Sequence, residues 1–190
     1  MVDLRRHFQG FFSEIADGQI EIYNEFSLQH ELGILLRCSL NADLKVQFER
    51  PVSFFGLPKS GFEKTEIDIV VFTPDQSVRY AIELKYPRRG QYPEQMFKAC
   101  QDIRFLEQLS SSGFTGGFFV MVVDDHLFYE GETRTGIYRY FRGRTPLCGV
   151  IQKPTGKRDK SFEIEGCYTI QWRHIKESLR YCVVEVGRRK

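Results

Sequence analysis

At 190 residues with a formal net charge of +2, the chain is long enough for one well-buried domain and short for two, and so small a surplus of charge neither demands nor repels a polyanionic partner. Apolar residues at 42% and charged residues at 27% exclude wholesale disorder. Five scattered cysteines (Cys38, Cys100, Cys148, Cys167, Cys182) show no zinc spacing, no apolar run approaches the roughly 18 residues of a membrane span, and the N-terminus lacks a signal-peptide core, so a cytoplasmic protein with reduced thiols and no membrane partner is expected.

In chain order, residues 2 to 17 carry Leu4, Phe8, Phe11, Phe12 and Ile15 at helical spacing and stop at Asp17-Gly18, which predicts an amphipathic helix. A second helix is predicted over about residues 23 to 38, with Leu28, Leu32, Leu35 and Leu36 as its inward stripe. Residues 44 to 55 read as extended. EIDIVVF (66 to 72) and VRYAIELKY (78 to 86) are β-rich runs around the polar turn TPDQS, the pattern of a hairpin. Apolar residues on both faces of its strands put that hairpin inside a sheet. Pro93 opens a helix to about Leu109, with Phe97, Cys100, Ile103 and Leu106 packed. GFFVMVV (117 to 123) follows as a buried strand. A helix between strands at this spacing permits a crossover, so the expected class is α/β, a central mixed sheet flanked by helices in a single domain over residues 1 to 190. From about 134 to 187, short strand-like runs alternate with Gly and Pro turns.

A turn centred on Asp75 and Gln76 sets Asp68 directly opposite Glu83. Directly opposed Cβ atoms lie about 4.5–5.5 Å apart, and like charges so placed destabilise unless something compensates them. A hard divalent cation does so, and magnesium prefers one or two carboxylates completed by water and phosphate oxygens. Lys85, two residues beyond Glu83, shares its face by the period-two pleat. An ammonium there can hold or help deprotonate a water, or neutralise charge building on a phosphate. Glu31, three residues after Leu28 and four before Leu35, falls on the apolar stripe of its helix, where a charge needs a partner or a metal.

A helix glutamate (Glu31), an aspartate opening a strand (Asp68), Glu83-Leu84-Lys85 on the next strand, then a helix and another strand resemble the PD-(D/E)XK, restriction-endonuclease-like nucleases. The order matches from about residue 23 to 124. Asp68 follows Ile67 and not the proline of the family name. The resemblance implies a restriction-endonuclease-like core and metal-dependent hydrolysis of phosphodiester bonds in DNA, leaving a 5′-phosphate. It implies Asp68 and Glu83 as ligands of Mg²⁺ or Mn²⁺ with the Leu84 carbonyl as a further one. Lys85 would orient or activate the attacking water, and Glu31 would assist metal or water placement.

Plainer alternatives stand beside these. The same register pairs Glu66 with Lys85, which would make the lysine a cross-strand surface ion pair of little energetic weight. Arg88, Arg89, Gln95 and Lys98 follow the Glu-x-Lys strand as candidate nucleic-acid contacts, yet exposed basic residues are often solvated surface, and Lys98 could pair with Asp102 along its helix. Arg134, Arg139, Arg142 and Arg144 interleave with Tyr138, Tyr140 and Phe141. That mixture suits unpaired nucleic acid, and equally a half-buried strand with a basic face. PTGKRD is no phosphate-binding loop, because Lys157 precedes Arg158 and not Ser or Thr. A catalytically inactive nuclease-fold domain that binds nucleic acid or a protein is the alternative reading, and a homodimer would suit cutting of both strands.

Overall fold

The computed structural model describes residues 3–88, 90–156 and 160–187. Helix α1 (Leu4–Ala16) starts where the Asp3 carboxylate accepts from the Arg6 N–H. Helix α2 (Glu25–Ser39) opens on a reciprocal cap, in which the Ser27 N–H donates to the Asn24 side chain at 2.7 Å and the Asn24 N–H donates to the Ser27 hydroxyl at 3.1 Å. Such a cap satisfies donors that the first helical turn leaves open, and it fixes Glu25 as the first residue of α2. Strand β1 (Lys45–Pro51) follows, but the extended stretch expected to reach residue 55 ends at Pro51 and coils into a 3-10 turn, Val52–Phe55.

The hairpin strands are β2 (Glu66–Phe72) and β3 (Arg79–Lys85), and α3 (Tyr92–Ser111) crosses from β3 to β4 (Gly116–Val123). Then come the short helix α4 (Tyr138–Phe141), β5 (Leu147–Gln152), β6 (Ser161–Tyr168), β7 (Arg173–Lys176) and β8 (Leu179–Gly187). The main sheet is six-stranded and mixed, in the order β1-β2-β3-β4-β8-β7, with β5 and β6 forming a separate two-stranded sheet. β3 and β4 run parallel, as a helical crossover requires, while the other neighbours are antiparallel. The fold is thus the α/β class expected, a mixed sheet packed against helices.

Alternation along the strands divides the core in two. Val70, Phe72 and Ala81 pack on the side of α3, and Ile69, Val71, Ile82 and Leu84 pack on the side of α1 and α2. By the same alternation Glu83 and Lys85 turn toward α3. Every residue of β4 is buried, which explains a sequence apolar on both faces. The IYRYF segment departs from the strand reading, because burial of Ile137, Tyr140 and Phe141 at helical spacing winds it into α4. Its arginines serve structure: Arg139 lies 4.7 Å from the Tyr140 ring centre and Arg142 4.0 Å from that of Tyr138, with the Arg142 Nε donating to the Leu127 carbonyl at 2.9 Å. Among the described residues no helix is long and apolar enough to cross a membrane.

Candidate active site

The hairpin closes where the Thr73 N–H donates to the Val78 carbonyl at 3.0 Å, with Gln76 at φ +58 in the turn. Its ladder pairs Phe72 with Arg79, Val71 with Tyr80, Val70 with Ala81 and Ile69 with Ile82. The same register carried one step further sets Asp68 opposite Glu83. At that step side chains take over the backbone groups: the Leu84 N–H donates to Asp68 Oδ2 at 2.8 Å and the Asp68 N–H donates to Glu83 Oε1 at 3.3 Å. The Gln29 amide of α2 holds the Asp68 carbonyl at 2.8 Å and Glu49 at 2.5 Å. Glu49 itself stands at φ +49, a left-handed conformation that strains a non-glycine residue.

Two lysines knit the acids together. Lys64, from the loop before β2, lies 3.3 Å from Asp68 Oδ1 and 3.3 Å from Asp102 Oδ1, and also contacts Glu83 Oε2. Lys85 lies 3.1 Å from Asp102 Oδ2 and 3.5 Å from Glu25 Oε1, and donates to the Leu84 carbonyl at 3.0 Å. The other Glu25 oxygen accepts from the Tyr86 N–H at 2.9 Å. Glu25, Asp68, Glu83 and Asp102 against Lys64 and Lys85 leave the cluster two charges negative when all are ionised. Glu83 is wholly buried, and this burial together with the charge of Asp68 pushes its carboxyl well above the usual range. Burial likewise raises Asp102, opposed by Lys85 and Lys64. Burial lowers both lysines, but the facing carboxylates outweigh it and hold each above the ordinary lysine value.

A cleft of about 260 Å³, lined by Glu25, Phe26, Gln29, Glu49, Asp68 and Leu84, opens beside Asp68. Among the described residues no group of three or more His, Cys, Asp or Glu side chains is arranged to hold a metal ion. The oxygens present are those of a carboxylate pair, with the Lys64 ammonium against Asp68 Oδ1 and Glu83 Oε2, and the Leu84 carbonyl, which accepts from Lys85. One or two carboxylates completed by other oxygens suffice for magnesium, so the residues fit such an ion.

Of the residues singled out from sequence, Asp68, Glu83, Leu84 and Lys85 come together. Lys85 pairs with Asp102 and Glu25 and not with Glu66, which stands opposite Pro51. Glu31 requires correction. The buried stripe of α2 is Leu28, Leu32 and Leu36, with Leu35 only half-buried, so Glu31 sits at its margin, a third exposed, and pairs with His30 at 3.3 Å. None of its described contacts reaches the acidic cluster. Glu25, six residues earlier and in the first turn, is the α2 carboxylate that enters the cluster.

Arg88 is exposed, its guanidinium donating to the Tyr23 carbonyl. Gln95 is half-buried and Lys98 exposed on α3, and Asp102 engages Lys64 and Lys85 in the described contacts. Arg89, Lys157 and Arg158 lie outside the described residues. Sequence reasoning missed Lys64, Glu25 and Asp102. Only Asp102 carried a local signal, a charge three residues after Ala99 and four before Leu106 on the packed stripe of α3. Comparison with family models, with curated proteins and with solved structures returns no match.

Proposed function

We propose that this chain is a metal-dependent nuclease of the PD-(D/E)XK, restriction-endonuclease-like kind, hydrolysing phosphodiester bonds of DNA. The observation that carries this reading is the convergence of Asp68, Glu83 and Lys85 in one cluster of four carboxyl groups and two ammonium groups. Asp68 and Glu83, with the Leu84 carbonyl, would hold Mg²⁺ or Mn²⁺. Such an ion, when bound, supplies polarisation of a phosphoryl oxygen and acidifies a water.

The protein's own groups do the rest. Asp102 and Glu25 pin the Lys85 ammonium, so that it meets the attacking water and the charge developing on phosphate without reorganising. Asp68 is braced through its carbonyl by Gln29 and through its N–H by Glu83, which keeps the acidic pair opposed. Arg88, exposed three residues beyond Lys85, is a candidate phosphate contact.

Purified protein should nick supercoiled plasmid with Mg²⁺ or Mn²⁺, stop on chelation, and lose at least about a hundredfold in rate on Lys85→Ala. An undiminished rate in that variant sinks the assignment. A second reading, a catalytically inactive domain of the same fold that binds nucleic acid or a protein partner, is favoured by the Lys64 ammonium lying against both carboxylates. Under it, calorimetry finds no Mn²⁺ binding while oligonucleotide binding persists and weakens with salt.

A further inference from the structure

We propose that Lys64 is a displaceable resident cation: it holds Asp68 and Glu83 together in the metal-free protein and must leave their oxygens before a divalent ion can bind, so that this one side chain sets the metal affinity of the site. The inference rests on the metal-site reading above and deepens it.

The oxygens themselves make the case. Each carboxylate of the pair has one oxygen committed to backbone, Asp68 Oδ2 to the Leu84 N–H and Glu83 Oε1 to the Asp68 N–H. The oxygens with no backbone donor are Asp68 Oδ1 and Glu83 Oε2, and both face Lys64 Nζ. A metal ion and the ammonium therefore compete for the same two atoms. Like charges this close to one another cannot both enter.

The surroundings allow the exchange. The loop bearing Lys64 is fixed by its backbone, with the Glu63 N–H donating to Gln108 at 2.9 Å, Gln108 donating to the Gly61 carbonyl at 2.9 Å and the Val52 N–H donating to the Thr65 carbonyl at 2.9 Å. Displacement is then a rotamer change along a four-carbon stem and not an unfolding of the loop. The Lys64 side chain is 27% exposed, whereas Glu83 is fully buried, so the lysine has a path to solvent. Asp102, on α3 and outside the β2–β3 pair, offers the departing ammonium a carboxylate it already touches.

A purely structural role predicts that removing Lys64 loosens the acids and weakens metal binding; competition predicts the opposite sign. The test is Mn²⁺ titration by calorimetry of the full chain, comparing the unaltered protein with Lys64→Ala and with Lys64→Gln, which keeps length without charge. A thermal-shift series with Mn²⁺ accompanies it. The expected result is Mn²⁺ binding at least about tenfold tighter in both variants, with a larger metal-induced gain in melting temperature. Equal or weaker binding in variants that still melt cooperatively overturns the inference and leaves the metal site standing. Binding in the variants but none in the unaltered protein supports the inference and removes the nuclease reading. No binding in any of the three overturns both.

Discussion

Taking an ionised carboxylate out of water costs several kcal/mol unless partners replace the solvent, and the cluster around Glu83 is built on that requirement: a buried acid, a neighbouring acid and the Lys64 ammonium within hydrogen-bonding reach. Burial acts in the same way on the thiols at the opposite extreme of reactivity. Cys100 and Cys182 are fully buried, while Cys38, Cys148 and Cys167 are exposed. Burial holds the Cys100 thiol above its ordinary range and pushes that of Cys182 up to about 12. For Cys182 the folded state thus retains a proton that the unfolded chain releases near pH ~8.5. Its contribution to stability is complete below that pH and is lost as pH rises toward about 12. At pH ~8 neither buried cysteine offers a thiolate. Iodoacetamide should accordingly label three cysteines in the native protein and all five in guanidinium, read by intact-mass spectrometry. Labelling of Cys182 at the rate of Cys148 in native buffer would contradict that burial.

At the scale of elements, what was legible in the sequence follows from how local each relation is. The Asp68–Glu83 opposition follows from a short polar turn between two β-rich runs, and the ladder keeps that register. Lys64, Glu25 and Asp102 come from a loop and two helices, and no periodicity within any one of them says that they meet. The β5–β6 sheet was illegible for the same reason, since its docking on α3 uses contacts distant in sequence, among them one buried carboxylate. Glu107 is buried and accepts from the Glu165 N–H at 3.0 Å, the Gly166 N–H at 2.5 Å and the Tyr168 hydroxyl at 3.0 Å, beside Arg104 at 3.2 Å. Removing that carboxylate takes the acceptor from two part-buried N–H donors, and each donor left unmet costs about 1–3 kcal/mol. Glu107→Ala should therefore lower unfolding stability by about 3–5 kcal/mol in a urea titration. A loss below ~1 kcal/mol, the scale of a surface ion pair, would mean that Glu107 does not fasten β6 to α3.

Across the whole molecule, the acids of the cluster come from α2, β2, β3 and α3, that is, from both layers and from the sheet between them. An ion bound there on the proposed reading ties together elements that separate on unfolding, so its binding free energy enters global stability directly. A ligand that binds only the folded state adds about 2.7 kcal/mol at a hundredfold excess over its dissociation constant. For a chain of this length each kcal/mol moves the melting temperature by roughly 2–4 °C, which gives a rise of about 5–11 °C. Glu83→Gln separates this effect from nonspecific ion binding. The amide removes a buried charge that faces Asp68 and whose carboxyl is already pushed toward the neutral form, so the metal-free variant should melt no lower than the unaltered protein. It also lacks a ligand, so added Mn²⁺ should leave its melting temperature where it was. Scanning calorimetry of both proteins, with Mn²⁺ and with chelator, reads the two signs at once: the unaltered chain climbs with metal and falls back on chelation, while the variant starts at least as high and does not move. Equal metal-induced shifts in the two proteins would detach the ion from Glu83 and with it from the acidic pair.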